Sequence, residues 1–165
     1  MGAYSIPSET GLLISSVYVN NRLESLKPNE AAVTNSVNHE EALVKAFIPS
    51  HRQERFLEII AKPKKRAKLL SQLYHFDDLD PKFMVAIPSN QHRPSALVKI
   101  LKAKGAGPKC YVMSTISELD GQEVDLEIAL ERIVGSQEGA LISCVPGRLG
   151  YFEDEDGRYI LERLR

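Results

Sequence analysis

The stretch FMVAIPSNQHRPSALVKILKAKGAGPKCYVM, residues 83–113, decides how the rest of the chain is read. Phe83–Ile87 is a short, continuous apolar run, the pattern of a strand covered on both faces. Pro88–Pro94 is a polar loop. Ser95 can cap a helix through Lys104, and Gly105 and Gly107 stand where C-terminal caps belong. Cys110–Met113 reads as a second strand. The stretch therefore predicts strand–loop–helix–strand, the grammar of a parallel crossover.

Downstream the alternation continues. Asp120 with Glu123 three residues on forms a capping box, predicting a helix through Val134 with Leu126, Ala129, Leu130 and Ile133 inward. Ala140–Val145 reads as a third strand and Pro146-Gly147 as a turn. Leu149–Glu153 and Tyr159–Glu162 flank Asp156-Gly157, a hairpin signal. The order β-α-β-α-β plus hairpin predicts an α/β domain: a short, partly parallel sheet flanked by helices, with an antiparallel C-terminal hairpin. An α+β arrangement is the alternative.

Upstream, residues 39–76 read as helical. Asn38 can cap a helix through Phe47, and Ser50 with Gln53 predicts a second through Ala61. Pro63 must break or kink the chain, because it lacks an N–H and its ring clashes with the preceding turn. A third helix then runs to about His75. Leu12–Val19 reads as a strand and Ala31–Asn38 as a connector. The 165 residues are expected to form one domain with residues 1–38 as an appendage.

Composition narrows the function classes. The chain has 21 Lys+Arg against 22 Asp+Glu, so it lacks the strongly basic balance usual in nucleic-acid binders. The charges are nonetheless clustered. Residues 51–68 carry Arg52, Arg55, Lys62, Lys64, Lys65, Arg66 and Lys68 against Glu54 and Glu58, while residues 118–131 carry six acids and no cation. The N-terminus MGAYSIPSET has neither a basic nor an apolar targeting region, and Ile6 occupies the position where myristoylation wants Ser or Thr. A cytoplasmic location is the expectation, with Cys110 and Cys144 as buried free thiols in neighbouring strands.

The leading candidate site is the loop Pro88–Pro94. It leaves a strand end and enters a helix, where backbone N–H groups and the helix dipole attract anions. Ser89, Asn90, His92 and Arg93 are its ligand-binding candidates, and Arg148 from a neighbouring strand end is a second cation that could share the site. His92 is the acid–base candidate. The same residues are also ordinary turn formers. The basic run Lys64, Lys65, Arg66 and Lys68 is a candidate nucleic-acid contact, but no aromatic residue interleaves it as a stacking platform would require.

Other chemistries fail on spacing. His39, His51, His75 and His92 have no close ligand spacing, and the acidic tip Asp154–Gly157 is out of register for a calcium loop. Gly105-Ala106-Gly107 precedes a strand, whereas a dinucleotide fingerprint follows one. No metal and no cofactor are expected.

The leading expectation is therefore a cytosolic, non-catalytic binding or interaction protein whose partner is a protein or a small anion bound at the loop. Second comes a small enzyme or sensor acting on a phosphate- or carboxylate-bearing molecule. Third comes a weakly nucleic-acid-associated protein that uses the basic helix.

Overall fold

The computed structural model describes residues 30–164. Ala32–Arg165 forms one compact unit. The strand expected at Leu12–Val19 lies outside the described residues.

Three helices come first: α1 (Glu30–Phe47), α2 (Ser50–Ile60) and α3 (Pro63–Ser71). A 3-10 turn, Leu73–His75, follows. Then come β1 (Met84–Ala86), α4 (Pro94–Ala103), β2 (Lys109–Ser114), β3 (Glu123–Asp125), α5 (Leu126–Ile133), β4 (Ala140–Val145), β5 (Leu149–Glu153) and β6 (Arg158–Glu162). The sheet order is β1-β6-β5-β4-β2-β3, and every neighbouring pair is antiparallel.

The α-and-β class holds, but the expected parallel neighbours are absent from this sheet. Two physical reasons account for the difference. First, residues 120–125 do not open a helix. Asp120 is engaged elsewhere, Gly121 turns the chain at φ +68°, and Glu123–Asp125 pairs back onto β2 as β3. That extra strand reverses the chain before α5, so β4 returns antiparallel to β2. The cap of α5 is Asp125, whose carboxylate accepts from the Glu127 and Ile128 N–H groups. Second, both sheet faces carry helices, so the inner strands read as continuous apolar runs even though they are antiparallel. Strands β1 and β2 do run in the same direction, as a helical crossover demands, but β6, β5 and β4 lie between them.

Each inner strand alternates between two cores. Cys110, Val112, Ala140, Ile142, Leu149, Tyr151 and Ile160 pack against Leu97 and Leu101 of α4 and Leu126, Leu130 and Ile133 of α5. Tyr111, Met113, Leu141, Phe152 and Leu161 face the opposite way, against α1–α3 through Leu43, Phe47, Phe56, Leu70 and Leu73. Cys110 and Cys144 are buried free thiols on the paired strands β2 and β4. Burial raises both thiols above their ordinary range, Cys144 to about 12.

Four local readings are corrected. Strand β1 is an edge rather than a buried strand, with Val85 51% exposed. Residues 31–38 continue helix α1 instead of forming a connector. Ser50 makes no cap, because Pro49 holds the N-cap position. Gln53 instead donates to the Lys45 and Ile48 carbonyls at the end of α1. The third helix stops at Ser71, short of His75. One glycine is required by close approach. At Gly139, φ is +68° and a Cβ would lie 2.3 Å from the Tyr74 backbone nitrogen, so only glycine lets the start of β4 pass the 3-10 turn.

Candidate functional site

Pro63 breaks the chain cleanly and becomes the first residue of α3, where its missing N–H costs nothing. Helices α2 and α3 therefore fold against one another across Ala61-Lys62. Between them lies a groove of about 670 Å³. Phe56 and Ile59 from α2, Leu69 from α3 and Phe76 from the following loop supply its apolar lining. Phe56 meets Phe76 edge-on at 5.7 Å, and Phe76 meets Phe152 of β5 at 6.1 Å, so the floor is anchored to the sheet. Arg55, Lys65, Lys68 and His75 line it as basic groups, and Glu58, Asp77 and Asp78 as acids.

Arg66 points away from any such role. Its guanidinium donates to Glu40 of α1, from Nε at 2.9 Å and from Nη2 at 2.6 Å. It also donates to Asp120, from Nη1 at 2.7 Å and from Nη2 at 2.9 Å. Tyr111 of β2 donates its hydroxyl to the same Glu40 at 2.7 Å. Hydrogen bonding to Asp120 raises the arginine above its already high range. Burial and the Glu40 bond push the Tyr111 phenol up as well. This fork joins α1, α3, β2 and the turn before β3. Of the basic-run candidates, Lys64, Lys65 and Lys68 stay exposed and Arg66 does not.

The Pro88–Pro94 loop is built differently from the expectation. Ser89–Gln91 is an exposed 3-10 turn, and Arg93 is an exposed N-cap residue that makes no side-chain cap. His92 has both ring nitrogens engaged: Nε2 meets the Ile87 carbonyl at 2.7 Å and Nδ1 meets Arg158 Nη1 at 2.6 Å. A carbonyl only accepts and a guanidinium only donates, so Nε2 carries the proton and Nδ1 accepts. Arg158 Nε in turn donates to Glu153, which also accepts from the Tyr151 hydroxyl and the Gly135 N–H. These bonds tie the loop to β5 and β6. Arg148 is not part of this cluster. It lies against Gly105, past the C-terminal end of α4, whereas Arg93 stands just before the N-terminal end. The ten residues of α4 separate them by about 15 Å.

One pairing had no signal in the sequence. His39 of α1 stacks on Tyr111 at 5.1 Å and meets Ser143 Oγ through Nδ1 at 3.0 Å. Burial lowers the imidazole from its ordinary 6.5, with nearby Glu123 opposing. Ser143 is only 3% exposed, so the contact satisfies a buried hydroxyl and presents no accessible nucleophile. Among the described residues no three His, Cys, Asp or Glu side chains gather into a metal site. Among the same residues, no helix is long and apolar enough to cross a membrane.

The groove itself was half legible. The run of cations over 51–68, from which Arg55, Lys65 and Lys68 come, is legible in the sequence. That they would line one cleft depended on Pro63 breaking the helix rather than kinking it. No protein-family model, curated protein or solved structure matches this chain.

Proposed function

We propose that this chain is a non-catalytic binding protein of the cytoplasm that holds its ligand in the groove between α2 and α3. The observation that carries the reading is the groove itself: about 670 Å³, within the range of small-molecule sites, with apolar and charged groups on one lining. Its floor belongs to an aromatic chain rooted in the sheet, so the site is largely preformed. Among the described residues, four groups that could have served catalysis are occupied. His92 is held at both nitrogens, Ser143 is buried, and the two thiols are buried with raised proton affinity. The Ser89–Arg93 loop supports an anion site less well, because Arg148 stands at the far end of α4.

Titration with a small-molecule fragment library, followed by amide NMR, tests this. The expected result is a set of saturable shifts on α2, α3 and residues 75–78. Shifts confined to residues 88–94 would move the site to the loop, and measurable turnover of any bound ester or phosphate would overturn the non-catalytic reading.

A further inference from the structure

The groove's lining sets a small excess of positive charge beside apolar side chains, and that pairing points to its occupant. Arg55, Lys65 and Lys68 line it, and none of the three has an ion-pair partner among the described residues. The acids are fewer than they look. Asp78 is ion-paired to Arg52, which leaves Glu58 and Asp77 against three cations. His75 is turned to Glu155, 2.7 Å away. The cations sit beside Phe56, Ile59 and Leu69, so charge and apolar surface occupy one cleft. A bare inorganic anion would leave the apolar lining unused, and a neutral hydrophobe would leave unpaired cations beside it.

We propose that the α2–α3 groove takes a small organic anion, its acidic head meeting Arg55, Lys65 and Lys68 and its aromatic or alkyl body resting on Phe56, Ile59 and Leu69. This rests on the groove being the binding surface. The three cations are exposed, so they select the anion through contacts that weaken with salt, while the body supplies the salt-insensitive part of the affinity.

A matched pair of probes tests it: anilinonaphthalene sulfonate, and N-phenylnaphthylamine, which has the same rings and no sulfonate. Fluorescence titration measures affinity and amide NMR locates each probe. The sulfonate is expected to bind the wild type roughly tenfold or more tighter than the neutral amine. The double variant Lys65→Glu, Lys68→Glu should erase that advantage, and Glu58→Gln should enlarge it. Lys64→Glu reverses a charge on the same helix outside the lining and should change little. Circular dichroism checks that each variant is folded, and Lys65→Gln with Lys68→Gln replaces the double reversal if that one does not fold. If the two probes bind the groove equally, or Lys64→Glu weakens the sulfonate as much as the double variant, the anion assignment is overturned while the groove remains the binding surface. If neither probe shifts amides of α2 or α3, both readings are overturned.

Discussion

Arg66 shows how far a residue's role can depart from its neighbourhood. By position it belongs to a basic run. By contact it is the centre of a half-buried fork, with Glu40 26 residues away and Asp120 54 residues away. The side chains of Arg66 and Glu40 are 18% and 7% exposed. Removing the arginine would strand the Glu40 carboxylate in a site with little water, the situation in which breaking a buried pair costs most. Arg66→Ala is therefore expected to lower the unfolding free energy by about 3–5 kcal/mol. Lys64→Ala and Lys68→Ala, on exposed positions of the same helix, should each stay within about 0.5 kcal/mol. Urea denaturation of the three variants measures this. Equal small losses for all three would mean that the fork contributes nothing to stability.

At the scale of the element, α1 is held to the sheet by titratable chemistry. Glu40 reaches Arg66 and Tyr111, and His39 stacks on Tyr111 while bonding Ser143. Burial keeps the folded His39 neutral to a lower pH than the unfolded chain, whose imidazole titrates at 6.5. Between the two values the unfolded state binds more protons. Stability is thus whole above 6.5 and is lost as the pH falls from there toward the folded value. His39→Asn should cost about 1 kcal/mol near neutrality through lost stacking, and should flatten the decline of stability on acidification. Denaturation midpoints of both proteins from pH ~7.5 to ~5 check this. Parallel curves would remove His39 as the source. The short β3 makes the complementary point, since a three-residue strand changes the parity of the whole sheet. Its sequence, Glu-Val-Asp, has little apolar character of its own, and only pairing with β2 holds it extended.

Across the whole molecule, the charge segregation read from the sequence is partly resolved within the fold. The basic run and the acidic run meet at Arg66–Asp120, and Lys102 of α4 pairs with Glu127 of α5 at 2.8 Å. With a net charge of −1 and three exposed lysines on one short helix, few phosphates could be neutralised at once. Binding to duplex DNA or single-stranded RNA is expected to be no tighter than about 10⁻⁵ M near ~150 mM salt. Fluorescence anisotropy on mixed-sequence oligonucleotides measures it. The diagnostic variant is Lys64→Ala, Lys65→Ala, Lys68→Ala, because including Arg66 would confuse unfolding with lost contacts. Tight, salt-steep binding that this triple variant abolishes would establish the basic helix as a nucleic-acid contact.

The elements that were legible are those specified by neighbours within a few residues. Ala140–Val145 and Leu149–Glu153 follow from apolar runs bounded by Pro-Gly and Asp-Gly turns. The end of helix α4 follows from Gly105, and the end of α2 follows from Pro63. Periodicity, turn chemistry and a missing N–H are local, so a linear reading reaches them. Strand order, the antiparallel parity, the Arg66 fork and the groove were not legible. Each joins residues distant in the chain, and the energy that settles them is gained only when helices cover both faces of the sheet. The Ser89–Arg93 loop was correctly placed before a helix. Only the fold put Arg148 at that helix's other end and put Arg55, Lys65 and Lys68 around one cleft.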